Sequence, residues 1–488
     1  MPILDEVRIT ELPGADPLAG LELIPLVQSG VTKTRSAQNL VLEGGLQDHL
    51  DDADPHTQYL KESEYEAHRS REDLLKQATL SLDFANNKYE VYEGPVNSLT
   101  QMPFNTALDF TRASTATART ATGKIQEVLT DEQRLVGNRE GLLIEEQRTN
   151  FNLSSDAFDS LDWDTLNATI TANSQAGPFG TGDADTLTEN TVDNRHDVRP
   201  DTFPALIAGD YVQSYYLKPN GRTKVMFIRL SNSVPESPTF DLVSGAVTGS
   251  NPEGGSVQFL SNGWVRVIFK FDIAVDDAGG YIPRLVDDSG ATSYLGDGTS
   301  GVYIWGAQLE EGSYPSSYIP TASTQVTRAA DDCVRVLGAE FNPNEFSFYL
   351  EAPIPRLFDD RNAHLIEFSD GSNNNRYSLR RGVNSTDLVF AGITPANGVI
   401  FTMTLGIAAL SNQTAKISAS VSSTSATLVV DGVSVSDTVS DALPVVTQFN
   451  LGARWDGSNS IGEAVFKDVQ LYPEALSESE LITLTGGT

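Results

Sequence analysis

Beyond residue 80 the chain reads as short runs of Val, Ile, Phe, Tyr and Thr, cut apart by Gly, Asn, Asp and Pro. The runs are VQSYYLKP, KVMFIRLS, SVQFL, WVRVIFKFDIAV and GVYIWGAQLE, then, past Arg328, FSFYLEAP, HLIEFS, RYSLRRG, DLVFAGI, KISASVS, ATLVVDG, TQFNLGARW and EAVFKDVQLY. Trp264, Arg266 and Ile268 alternate with Val265, Val267 and Phe269. Such a period of two sends successive side chains to opposite faces of a strand. Short strands roughly every 8–12 residues with polar turns between them predict antiparallel sandwiches. We expect a mainly β chain with two successive β-sandwich domains, over residues 80–330 with its lead-in and over 331–488.

The front of the chain is patterned differently. Residues 1–45 hold ITELPGADPLAGLELIPLVQSGVTKTRSAQNLV, in which Leu23, Ile24, Leu26 and Val27 surround Pro25. That is too little apolar surface to fold alone, so it needs a neighbour. Residues 46–79 contain Pro55, which breaks any helix there, and from Leu60 the composition turns helical. Leu60, Ala67 and Leu74 recur every seven residues, with Glu64, Arg71 and Ala78 at the alternate seam positions. A helix of about three turns is marginal by itself, and a parallel bundle of identical chains would hold it as a short neck. The longest mostly apolar run, Val399 to Leu410, is about half of what a membrane-spanning helix needs and contains Thr402, Thr404 and Gly406. It reads as strand and turn, and no membrane insertion is expected.

Charge narrows the partners. Across 488 residues, 66 Asp and Glu stand against 33 Lys and Arg, a formal net charge of −33. Most of the surface would repel a phosphate backbone, so nucleic acid is not an expected partner. The opening MPILDEVRITEL carries acids where a secretion signal needs a basic start, and Cys333 is alone, so no disulfide can form within the chain. Synthesis in a reducing cytoplasm is compatible with both.

Several stretches carry a resemblance. ITELPGADPLAGLELIPLVQSGVTK resembles the amino-terminal attachment segment of bacteriophage tail fibres, and HLDDADPHTQYL resembles a motif of phage tail-fibre shafts, matched by Asp54, Pro55, His56, Gln58, Tyr59 and Leu60. GLLIEEQRTNFNL, at 141–153, is similar to the segment that introduces a carbohydrate-binding-like jelly roll in phage tail proteins, with VYIWGAQLEEGSYPSSYIPTASTQVTRAAD as its closing counterpart. FKDVQLYPEALSESEL resembles the last strand and helical turn of laminin-G-like or concanavalin-like lectin sandwiches. These likenesses imply a tail fibre or receptor-binding protein of the virion, made in the host cytoplasm and homotrimeric. Residues 1–45 would dock on tail or baseplate proteins, and the sandwiches would bind a host cell-surface glycan or protein. The alternatives are a structural spacer that binds no receptor and, less favoured, a polysaccharide-degrading tail enzyme.

Candidate chemistry sits in polar loops. Flat aromatic faces suit the C–H faces of sugars. Trp264 and Trp305 lie among apolar neighbours and read as core, whereas Trp455, in ARWDGSNS with Arg454, Asp456 and Asn459, is the best single contact residue. The loop FSDGSNNNRYSLRRG offers Asp370, Asn373, Asn374, Asn375 and Arg376 for sugar hydroxyls or for a divalent cation such as Ca²⁺; it reads equally as an ordinary hairpin turn. In ENTVDNRHDVRPD, Arg195, His196 and Arg199 could reach an anionic saccharide, against the plainer reading of a solvated loop. His56 fixes a turn with Asp54 or, near a threefold axis, offers imidazole to a metal. No Gly-x-Ser-x-Gly, His-Glu-x-x-His or Gly-x-x-x-x-Gly-Lys pattern is present, and no catalysis is expected.

Overall fold

A computed structural model of the chain describes residues 70–93, 99–137, 140–229, 237–354, 362–383, 385–396, 398–406, 413–457 and 463–486. The expected attachment segment 1–45, most of the neck, the motif Asp54, Pro55, His56, Gln58 and Tyr59, and Asn459 lie outside these residues. The rest is mainly β, in antiparallel sheets.

The C-terminal sandwich packs an eight-stranded sheet on a seven-stranded one. The eight-stranded sheet runs, in order, Leu99–Met102, Lys88–Tyr92, Leu80–Asp83, Asp468–Tyr472, Phe346–Pro353, Thr414–Val421, Ser425–Val430 and Val433–Thr438. The seven-stranded sheet runs Gly398–Gly406, Asp387–Thr394, Arg376–Arg381, Ala363–Ser369, Gln448–Leu451, Asp332–Val336 and Asp109–Thr111. Alternation fills the space between them: Phe346, Phe348 and Leu350 meet Phe368, Phe390 and Phe449 in one core. The first sheet is covered on its outer face as well. Helix Glu478–Thr485, started by a capping box between Ser477 and Glu480 and ended at left-handed Gly486, lays Leu481 and Leu484 against Tyr349, Val429 and Tyr472.

Two expectations are corrected here. Leu74, read as a seam position of a bundle of chains, is 0% exposed in helix Arg71–Leu75 and packs on the same chain's Leu481 and Leu484. Arg71, the alternate seam position, donates Nε to the Leu484 carbonyl at 2.9 Å. The end of the expected neck, 70–79, is therefore part of this sandwich. The boundary after residue 330 is also crossed. Leu80–Asp83 pairs with Asp468–Tyr472, and Asp109–Thr111 with Asp332–Val336, so residues 80–111 belong to the C-terminal sandwich. A periodic pattern marks a strand but not its partner, and these partners lie at the far end of the sequence.

The middle sandwich pairs two six-stranded sheets. One runs Trp163–Leu166, Asp197–Pro200, Tyr281–Val286, Lys224–Arg229, Pro238–Asp241 and Val247–Gly249; the other runs Ala168–Gln175, Ala184–Glu189, Gly301–Glu311, Gly209–Asn220, Val265–Ile273 and Gly255–Phe259. Val265, Val267 and Phe269 face the core as the alternation predicts. The opposite face of that sheet is apolar too, because Tyr216, Trp264, Trp305 and Tyr318 form a second cluster with Ile125. The lead-in strand Arg148–Asn150 pairs with Val326–Arg328 at the exit.

Between the sandwiches lies a small unit, hairpin Ala116–Arg119 with Ile125–Val128 and a sheet of Arg134–Val136, Gly141–Glu145 and Glu463–Phe466. Its own core is slight: Ala118, Val128, Val136 and Leu143, with Val465 against them. Leu142, Ile144, Ala464 and Phe466 on its other face enter the core of the C-terminal sandwich, and Ile125 joins the Trp305 cluster. Buried polar contacts add to this. Arg134 sends one guanidinium nitrogen to Glu145 and the other to Asp331. Asp331 also receives Arg112 Nη1 at 3.1 Å and the Glu145 backbone N–H at 2.8 Å. Glu145 accepts from Ser317 N–H at 2.7 Å and faces Arg328 Nη2 at 3.5 Å. Burial pushes the Glu145 carboxyl up, but Arg328, Arg134 and the Ser317 bonds outweigh it and hold it well below the carboxylate range.

Two stability predictions follow from this packing. Arg134→Met leaves Glu145 and Asp331 without their shared cation, and urea unfolding should show a loss of about 3–5 kcal/mol. A loss under about 1 kcal/mol would mean that the cluster contributes little. Asp468 behaves oppositely: its strand neighbours are Asp83 and Glu351, and its Oδ1 is buried without a partner. Burial first, then these two acids, push its carboxyl up to about 7. A raised folded-state pKa gives stability that is complete below the ordinary 3.8 and is lost as pH rises through about 7. Asp468→Asn should therefore be more stable than the parent at pH 8, by about 1–3 kcal/mol, with the gap closing toward pH 4. Equal stability at pH 8 would refute the assignment.

Candidate functional site

The outer face of the seven-stranded sheet gathers residues from two separate loops. In strand Arg376–Arg381, Tyr377 and Leu379 enter the core, which leaves Arg376, Ser378 and Arg380 on the other side. In the neighbouring strand Ala363–Ser369 a register shift between His364 and Ile366 sends both Leu365 and Ile366 into the core. His364 and Glu367 are then left beneath the outer face, 3% and 0% exposed. Strand Gln448–Leu451 runs alongside and delivers Arg454, Trp455 and Asp456 just past its end.

Asn373 ties the two loops together. Its Oδ1 accepts Arg376 Nη1 at 3.0 Å and Trp455 Nε1 at 3.4 Å, across 82 positions of sequence. The Trp455 backbone N–H donates to Glu367 Oε1 at 3.3 Å, and Arg454 Nη2 stands 3.7 Å from Asp456 Oδ2. Below them His364 Nδ1 is 3.2 Å from Glu367 Oε2, and neither atom has a hydrogen bond. Burial pushes the His364 imidazole below its ordinary value, more than Glu367 raises it. Trp455 is half-buried, while Trp163, Trp264 and Trp305 are buried; Trp163 and Trp264 donate Nε1 to the carbonyls of Ser154 and Ala176. An aromatic face beside amide and guanidinium donors is an arrangement that can hold a sugar ring.

The candidates read from the sequence divide accordingly. Trp455, Asp456, Asn373 and Arg376 come together. Asp370 lies in the same hairpin but is turned to its own turn, where it accepts Asn375 Nδ2 at 2.8 Å. Burial pushes its carboxyl up, but hydrogen bonds from Ser372 and Asn375 hold it below the usual range. Among the described residues no three His, Cys, Asp or Glu side chains gather closely enough to hold a metal ion. The Asn373 oxygen already accepts from a cation, Arg376. Arg380, His364 and Glu367 were absent from the sequence-based site, in which Arg454 stood only as a neighbour of Trp455. Arg380 was legible, since it shares a strand face with Arg376; the register shift hid the other pair.

In the middle sandwich Arg195, His196 and Arg199 do not form a site. His196 is 0% exposed, with Nδ1 2.6 Å from the Asn167 carbonyl and Nε2 3.2 Å from that of Tyr294, so its role as a ligand contact is corrected to a structural one. Arg199 is paired with Asp164 at 2.6 Å, and Arg195 is exposed.

A groove of about 350 Å³ lies where the small unit meets the middle sandwich, lined by Arg119, Glu140, Tyr216, Phe259, Arg266 and Tyr318 among others. Its buried charges are already satisfied: Arg266 bonds Ser214 Oγ and the Ser316 carbonyl, and Glu145 bonds Ser317 and Arg134. The groove offers shape, whereas the face around Trp455 offers unmet hydrogen-bonding capacity.

No protein-family model matches the chain, and no curated protein matches its sequence. Among solved structures, the Ruminococcus gnavus IT-sialidase CBM40 bound to alpha2,3 sialyllactose is 14% identical, over 30% of this chain and 84% of that one, with a TM-score of 0.26. The botulinum neurotoxin type G receptor binding domain is 10% identical over 31% of this chain and 39% of that one, TM-score 0.26. The NanB sialidase from Streptococcus pneumoniae is 15% identical over 30% of this chain and 24% of that one, TM-score 0.26. Likeness of this degree fixes neither a family nor a ligand.

Proposed function

We propose that the chain is a non-enzymatic adhesin that holds a cell-surface glycan on the outer face of its C-terminal sandwich. The observation that carries this is the junction of Trp455, Asn373 and Arg376, brought from two loops onto one rigid sheet. A sugar ring would rest its apolar face on the indole, and Asn373, Arg376 and Arg454 would bond its hydroxyls. Such a shallow site binds weakly, at about millimolar strength, where only about 4 kcal/mol is gained. Three copies on one axis would raise the effective affinity by roughly 10² or more. The attachment and shaft motifs in residues 1–60 support placing the chain in a homotrimeric bacteriophage tail fibre, joined to tail or baseplate proteins. Host attachment is then the purpose of the binding.

Purified, fluorescently labelled protein should decorate host bacteria and block phage adsorption. Trp455→Ala should weaken decoration at least tenfold, and mild periodate oxidation of the cell surface should abolish it. No decoration at saturating protein would support the spacer reading instead, and release of oligosaccharide from the surface polymer would support the enzymatic one.

A further inference from the structure

Taking the glycan-binding reading as its premise, we infer that the sugar held at this face carries a carboxylate, received by Arg376, Arg380 and Arg454 beside the Trp455 ring.

Where an arginine is largely withdrawn from water, it usually faces a carboxylate: Arg112 and Arg134 face Asp331, Arg222 faces Glu189, Arg284 faces Asp197 and Arg335 faces Glu340. With 66 acids in the sequence such partners are plentiful. On the outer face of the seven-stranded sheet the pattern stops. Arg376 bonds the Asn373 amide oxygen at 3.0 Å, and Arg380 bonds Ser378 Oγ at 2.8 Å; both partners are neutral. Among the described residues Arg376 and Arg380 have no carboxylate within ion-pair distance, and the contact of Arg454 with exposed Asp456 is loose, 3.7 Å. A guanidinium drawn from water without a close carboxylate keeps its charge poorly answered, and an oxyanion bound to its outward nitrogens would answer it.

The floor of the site points the same way. Glu367 lies opposite Ser378, between Arg376 and Arg380 in the register of the strands, and is 0% exposed. One of its oxygens is engaged by the Trp455 backbone N–H, and the other is turned to His364. It therefore draws the guanidiniums together from below without saturating their outward edges. Burial depresses the Arg376 and Arg380 guanidiniums; Arg454 adds to this at Arg376, and Arg376 at Arg380, while Glu367 opposes it in both and Asp456 opposes it at Arg376. A planar guanidinium matches a carboxylate by two parallel N–H···O bonds, which lysine could not supply. With the indole alongside, the arrangement fits a pyranose that has its acid group on the ring.

The chain's own charge of −33 sets how far this attraction reaches. Beyond about 8–10 Å at physiological salt the field of the rest of the surface is screened, so an acid group must come into direct contact to gain from the three arginines.

The test uses immobilised polygalacturonate, alginate and hyaluronate, each beside the same polymer with its carboxyls reduced to alcohols, at physiological salt. The full chain should bind at least one acidic polymer and bind its reduced form at least tenfold more weakly. Arg376→Gln/Arg380→Gln should bring binding of the acidic form down to the level of the reduced form, in protein whose circular dichroism shows the fold retained. Arg380→Gln alone, farther from the loop, provides the same reading should the double variant unfold. Equal binding to acidic and reduced polymers would overturn the inference while leaving glycan adhesion standing. Failure to bind any of the three acidic polymers would also overturn it, and the decoration of whole cells then decides separately whether the face binds glycan at all.

Discussion

A buried knot of charge fixes the junction of the two sandwiches and the small unit, beside the apolar contacts of Ile125, Leu142, Ile144 and Phe466. Arg112, Arg134 and Arg328 meet Glu145 and Asp331, each no more than 4% exposed. Taking five ions out of water is unfavourable unless each is answered, and here the carboxylates receive Arg134 twice, a backbone N–H and a serine. The five residues come from three stretches of sequence, at 112, 134–145 and 328–331, so the knot closes only when the small unit and the exit of the middle sandwich are both in place. Its charges supply direction where the apolar contacts of the small unit supply burial.

Arginine thus plays two roles in the molecule, separated by whether an acid answers it. In the knot, guanidiniums are matched and the result is fixed geometry. On the outer face of the seven-stranded sheet they are held by Asn373 and Ser378, their outward donors are open, and the result is a surface that can take up a partner. The sheet beneath packs on a core of Phe368, Phe390 and Phe449, which holds the loops carrying Trp455 and Asn373 from below.

Much of the fold could be read directly from alternation. The strands around Val265 and Phe346, the buried Trp264 and Trp305, and the polar loops at Asn373 and Trp455 all follow from local pattern. Pairing was not legible, because nothing local in Leu80 or Asp109 names a partner near Leu471 or Cys333. Spacing by seven made Leu74 look like a seam residue, since a heptad cannot tell a sister chain from a helix at the far end of the same chain. His196 looked solvated among polar neighbours, and only the tertiary fold shows that its two ring nitrogens lie against the carbonyls of Asn167 and Tyr294. The meeting of Asn373 with Trp455 is likewise a product of strand order, with each loop recognisable and their contact hidden.

The most direct measurement is a crystal structure of the chain with a short oligosaccharide of an acidic polymer that it binds. The expected result is a sugar ring lying on Trp455 with its carboxylate between the guanidiniums of Arg376, Arg380 and Arg454. A saccharide seated in the groove beside Phe259, with the Trp455 face empty, would contradict the account.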